Sequence, residues 1–165
     1  MNGIIDLRKV LIFGNSGSGK TTLAKKLCDS ENLSHLDLDT LAWKPTAPPE
    51  RKPLPASATE ITGFIRSNDR WVIEGCYSDL LEIALPFSSE IIFMNLPIAL
   101  CVENARNRPW EPHKYESKEA QDKNLDMLID WISQYPERND TFSKLAHKQL
   151  YQQYPGKRTM VISRQ

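Results

Sequence analysis

Cysteine is scarce in this chain of 165 residues, with three in all, at positions 28, 76 and 101. An odd count without paired spacing argues against a disulfide framework or a zinc knuckle, and predicts reduced thiols in a cytoplasm. Histidine is equally sparse: residues 35, 113 and 147 lie too far apart in sequence to predict a metal site built from them. Charge of one sign is missing too. Lys plus Arg and Asp plus Glu each total 21, so the formal net charge is zero. Without a global basic field, direct nucleic-acid binding is not expected, although a local patch is left open. Long apolar runs are absent, and the longest fall far short of a bilayer span. The opening "MNGIIDLRKVLIF" lacks the basic segment and long apolar run of a secretory signal. These absences predict a cytoplasmic protein with no membrane partner. Asn139-Asp140-Thr141 fits the glycosylation pattern, which has no meaning in such a setting.

What is present reads as one domain, 1–165, with 40% hydrophobic and 25% charged residues, long enough to bury a core. Val10–Phe13 is a short apolar run that predicts a buried strand ending at Gly14. Thr21–Asp29 predicts a helix with Leu23, Ala24 and Leu27 on one side. "SHLDLD" (34–39) reads as a second strand, and the prolines of 45–55 as an irregular surface excursion. A helix follows over 56–67, with Ile61, Phe64 and Ile65 turned inward. "RWVIEG" (70–75) and "EIIFMNL" (90–96) predict strands covered on both faces. A helix over 97–106 stops before Pro109. Leu125, Leu128, Ile129 and Ile132 mark a further helix ended by Pro136. The last helix is predicted over 141–151 with Phe142, Leu145, Ala146 and Leu150 as its inner stripe, and "RTMVIS" (158–163) as the fifth strand. Alternating strands and helices predict an α/β fold with a parallel sheet and ligands at its carboxyl edge.

Gly14-Asn15-Ser16-Gly17-Ser18-Gly19-Lys20-Thr21 matches the phosphate-binding loop G-x-x-x-x-G-K-[ST] at every fixed position, between a predicted strand and a predicted helix. Glycines let backbone N–H groups turn toward phosphate oxygens, and the helix N-terminus adds partial positive charge. The pattern predicts a nucleoside triphosphate site holding ATP and Mg²⁺, with Thr22 beside it. Lys20 is expected on the β and γ phosphates and the Thr21 hydroxyl on Mg²⁺.

Transfer of that phosphate requires an acceptor site, an acid near the metal and cations for the developing charge. Asp37 and Asp39, two apart on the predicted second strand, share a face there. One can serve the metal and the other the acceptor hydroxyl, in either assignment, or both are solvated turn carboxylates. Glu74, at the end of the third strand, reads as a Mg²⁺ ligand through water or as a cap for the next helix. Arg106 and Arg108 precede a polar flap. Each reads either as a cation reaching the phosphates or as a charge closing its helix. Trp43, Trp71 and Tyr77 read as core, or as an aromatic wall for a ring-bearing or sugar-like ligand beside Gly75.

"GNSGSGKTTLA", "HLDLDTLAWKP", "WVIEGCY" and "RNRP", in this order, resemble the DNA topology modulation proteins, P-loop relatives of adenylate and shikimate kinases in the nucleoside monophosphate kinase superfamily. The resemblance runs from about Val10 to Tyr135. It implies a five-stranded parallel sheet ordered 2-3-1-4-5 in a three-layer α/β/α fold, a lid near 107–117 and an acceptor-side insertion near 44–66. A first reading of the residues is a small-molecule kinase using ATP and Mg²⁺, expected as a monomer or weak dimer. Relatives set the nucleotide base against the loop after the fifth strand. With the sequence ending at Gln165, Ser163 and Arg164 are what remains for it, so weak base selectivity is expected. A second reading is a nucleotide-dependent regulatory ATPase or switch with no small-molecule acceptor. It rests on Glu74–Ser78, which lacks the arginine that adenylate kinases present after the third strand.

Overall fold

Odd and even positions of the apolar runs part to opposite faces of one sheet, and that alternation organises the molecule. The structure is a computed structural model describing residues 7–46 and 48–164. The first six residues of the N-terminal stretch, Ala47 of the proline-rich excursion and Gln165 lie outside the described residues. Five parallel strands form the main sheet: β1 (Lys9–Gly14), β2 (Ser34–Asp37), β5 (Trp71–Gly75), β6 (Glu90–Met94) and β7 (Lys157–Val161). Their order across the sheet is β2-β5-β1-β6-β7. Counting these five strands alone, that is the 2-3-1-4-5 order implied by the resemblance. β1 is central, with Val10 opposite Val72 on one side and Glu90 on the other.

Leu11, Phe13, Trp71, Ile73, Ile91 and Phe93 project to one face and join the core beneath α3 (Leu54–Ser67), α4 (Ser78–Ala84) and α7 (Lys144–Gln153). Val10, Ile12, Val72, Ile92 and Met94 project to the other, under α1 (Lys20–Glu31), α5 (Ile98–Arg106) and α6 (Lys118–Ser133). The α/β fold with helices on both faces of a parallel sheet is therefore as expected. Among the described residues no helix is long and apolar enough to cross a membrane.

Four local readings are corrected. The second strand stops at Asp37. Leu38 is helical (φ −62°, ψ −21°), and Asp39 opens a one-turn helix, α2 (Asp39–Ala42), so the two aspartates do not share a strand face. Apolar Leu38, fully buried, breaks the alternation because it turns down into the core. The excursion holds a two-residue hairpin, β3 (Trp43–Lys44) with β4 (Glu50–Arg51), and α3 already begins at Leu54, with Pro53 and Pro55 at its start, where proline is tolerated. α4 and the 3₁₀ turn Leu85–Phe87 fill a stretch, 78–89, for which no element was predicted. Finally, α7 starts at Lys144, capped by Ser143. Its Leu145 is 55% exposed while His147 is fully buried, so the inner stripe passes through a histidine and skips a leucine.

That histidine is satisfied. Its Nε2 lies 2.8 Å from the Cys76 carbonyl, and its Nδ1 2.6 Å from the Tyr135 hydroxyl. A carbonyl only accepts, so Nε2 carries the proton and Nδ1 accepts from tyrosine. Burial pushes its pKa down to about 4.

Candidate functional site

β1 delivers the chain to Gly14, and the loop 15–19 wraps back before α1 begins at Lys20. Gly17 has φ +76°, and a Cβ there would lie 2.4 Å from the Cys101 carbonyl of α5. Only glycine permits both the left-handed turn and the approach. The loop is anchored from outside as well. Asn15, buried, donates to the Ile132 carbonyl of α6 at 3.1 Å, and Asn104 of α5 donates to the Gly17 carbonyl at 2.9 Å. Lys20 folds over the loop and donates to the Asn15 carbonyl at 2.7 Å.

The N-terminus of α1 has no side-chain cap and no acid in its first turn, so its first N–H groups keep their donor capacity. The Ser18 hydroxyl is fully buried without a hydrogen-bond partner among the described residues. Unspent N–H donors, an orphaned hydroxyl and a lysine around one turn are the donor set an anion takes up. A triphosphate fits.

Across the floor of the cleft, the Thr21 hydroxyl donates to Glu74 Oε1 at 3.0 Å, and the other carboxylate oxygen meets His35 Nε2 at 2.8 Å. Glu74 is buried and faces the loop. It does not cap α4, whose N-cap is Tyr77. Among the described residues no three or more His, Cys, Asp or Glu come together as a metal-binding group. A hydroxyl beside a carboxylate is nevertheless the partial oxygen set that Mg²⁺ takes together with phosphate oxygens and water.

The aspartates are brought to the cleft by a turn and not by a strand. Asp37 ends β2 opposite Glu74 in register, and its Oδ1 accepts the Asp39 N–H at 2.9 Å. Gly75 makes the turn possible, since a Cβ on it would stand 2.9 Å from the Leu38 side chain. Burial and then the charges of Asp39 and Glu74 push the Asp37 carboxyl up. Burial also pushes Asp39 upward, but the Lys114 charge and the hydrogen bonds from Tyr77 and Lys114 outweigh it and hold the carboxyl low. The Lys114 ammonium sits 3.0 Å from Asp39 Oδ2 and 3.5 Å from Glu111. Burial disfavours its charge, but Asp39, Asp37 and Glu111 more than compensate and raise its pKa. The Tyr77 hydroxyl donates to Asp39 Oδ1 and accepts from Trp43 Nε1 at 2.8 Å.

One cleft of about 960 Å³ joins these parts, a size suited to a ligand of nucleotide class. Residues 16–22, Asp37, Asp39, Trp43, Glu74, Gly75, Tyr77 and Arg108 all line it, as do Ser163 and Arg164. Four candidates fall elsewhere. Gly14 and Asn15 are buried at the base of the loop and are not among the described residues of the cleft wall. Arg106 is exposed and is not among the described residues of the cleft wall. Trp71 is fully buried in the core, the bland alternative of its two readings. Arg108 holds Glu111 at 3.3 Å within the flap.

Sequence reasoning missed Lys114, Trp131 and Phe142, which also line the cleft. Lys114 sits in a polar, aperiodic flap, where nothing singles out one lysine. Phe142 reads in the sequence as part of an inner helical stripe, and nothing there singles out Trp131; in the structure their rings meet at 5.2 Å between α6 and the segment before α7.

No protein-family model and no curated protein matches the chain. Solved structures do resemble it. One is an uncharacterized protein from Eubacterium ventriosum, with 18% identity and a TM-score of 0.45, covering 96% of this chain and 89% of that one. An unliganded sugar kinase from a Janibacter species shares 18% identity at a TM-score of 0.46, covering 76% and 94%. A gluconokinase from Sinorhizobium meliloti shares 14% identity at 0.48, covering 83% and 80%.

Proposed function

We propose that this chain binds ATP with Mg²⁺ and transfers the γ-phosphate to a hydroxyl or phosphate of a small-molecule acceptor. The observation that carries this reading is that the phosphate loop, the Thr21–Glu74 pair and the Asp37/Asp39 turn open into a single cleft. In it the loop N–H groups and Lys20 would hold the phosphates, with Thr21, Glu74 and Asp37 around Mg²⁺. The metal, when bound, neutralises charge on the transferred group. Asp37, crowded by two other carboxylates, gains most from a cation. Asp39, kept ionised by Lys114 and oriented by Tyr77, is placed to accept a hydrogen bond from the attacking hydroxyl and then its proton. Arg108 is the lid cation that meets the phosphates once it leaves Glu111.

The same reading takes 1–165 as one domain, with 44–66 as acceptor-side insertion and 107–117 as lid. It takes the topology modulation proteins as kin, and a monomer or weak dimer in a reducing cytoplasm as the working form. The switch reading has one observation in its favour: Lys114 already occupies the carboxylate that an acceptor would need. A screen of ATP turnover against pooled metabolites and nucleoside monophosphates separates the two. Acceptor-dependent ADP release supports phosphotransfer, and a flat baseline in every pool sinks it.

A further inference from the structure

We infer that the acceptor is an uncharged, ring-bearing alcohol, carrying neither phosphate nor carboxylate. This rests on the phosphotransfer reading and narrows it. Beyond the phosphate loop the cleft is bounded by a chain of four aromatic rings. Trp43 meets Tyr77 at 6.3 Å, Tyr77 meets Phe142 at 5.2 Å, and Phe142 meets Trp131 at 5.2 Å, each edge to face. Such a wall offers apolar area to a ring and no charged group to an anion.

Charge decides the rest. The acidic groups facing this half are Asp37 and Asp39, with Glu111 on the lid. The basic groups beside them are held by the same acids: Lys114 is shared by Asp39 at 3.0 Å and Glu111 at 3.5 Å, and Arg108 and His113 stand 3.3 and 3.7 Å from Glu111. Two arginines adjoin the wall, and each is ion-paired, although each also keeps a buried Nε without a hydrogen-bond partner among the described residues. Arg51 lies 4.9 Å from the Tyr77 ring centroid and donates to both Asp79 oxygens, at 3.1 and 3.3 Å. Arg138 stacks 3.7 Å over Trp131, donates to its carbonyl and stands 3.8 Å from Asp140. Neither is among the described residues lining the cleft. Lys20, Lys25 and Lys26 belong to α1, on the loop side. An anionic acceptor would bring its charge up to the Asp37 and Asp39 carboxylates, where each lid cation is already paired with an acid, whereas a neutral hydroxyl needs only the Asp39 oxygen.

The test uses the full chain saturated with ADP and Mg²⁺, and matched ligands that keep one ring and differ by one anionic group: glucose against glucose 6-phosphate and glucuronate, and adenosine against its 5′-monophosphate. Binding is followed by calorimetry or saturation-transfer NMR. A neutral member should bind, with its anionic counterpart at least about tenfold weaker. Asp39→Asn, which keeps the shape and frees Lys114, should narrow that gap. Tighter binding of the anionic member in any pair, or no binding by either neutral member, overturns the inference. Replacing ADP by ATP then tests the parent reading separately. A neutral ligand that binds but is never phosphorylated leaves the ligand class standing and removes the phosphotransfer.

Discussion

At the scale of single residues, Asp39 is the most committed group in the cleft, bonded at once to Tyr77, Lys114 and, through its own N–H, to Asp37. Asp39→Asn should nearly abolish transfer while ATP affinity, measured by titration, stays within a few fold. Asp37→Asn should act through the metal, so that raising Mg²⁺ partly restores its rate. Parental rates for both variants would reduce the pair to a structural turn. His147 carries a different prediction. Its folded pKa, about 4, lies below the ordinary 6.5, so the unfolded chain binds its proton first. Stability from this group is complete above pH about 6.5 and is lost as pH falls toward 4, by about 3 kcal/mol in all. Urea unfolding across that range should show the loss. His147→Gln, which can still donate to the Cys76 carbonyl, should flatten that part of the profile even if its stability is lower throughout.

Among elements, the segment that follows α5, the proposed lid, is where the two arginines part. Arg108 faces the cleft and Arg106 faces solvent. Arg108→Ala should lower kcat by on the order of 10³-fold, with a smaller effect on nucleotide affinity, because its contact strengthens with the developing charge. Arg106→Ala should leave both near parental values; a kinetic loss there instead would move the lid assignment. The sequence left the same two readings open for both residues, since α5 ends at Arg106 and helical spacing says nothing of where Arg108, past its end, turns. The phosphate loop and all five strands were legible because glycine positions and apolar runs encode them directly. The Asp37-Leu38-Asp39 turn was not. Its pattern is that of a strand, and the deciding contact, Leu38 against Gly75, lies 37 residues away in the chain. α7 misled for a related reason: a buried histidine held by two hydrogen bonds is polar in sequence and core in space.

For the whole molecule, a cleft built on the central strand ties ligand binding to global stability. ATP with Mg²⁺ at about a hundred times its Kd should stabilise the fold by about 2.7 kcal/mol, which raises Tm by roughly 5–10 °C. Lys20→Ala should melt near the parent without nucleotide and lose most of that rise. A full rise in the variant would mean that nucleotide sits elsewhere. The sheet order has one more consequence, for the newborn chain. β1 emerges early but lies between strands that end at Gly75 and Met94. The Asn15 amide waits for a carbonyl 117 residues downstream. At roughly 5–20 residues per second, the ribosome needs about 6 to 23 s to make that stretch. Through that interval the signature sequence is already present, while the α6 carbonyl that anchors its loop is still to be made.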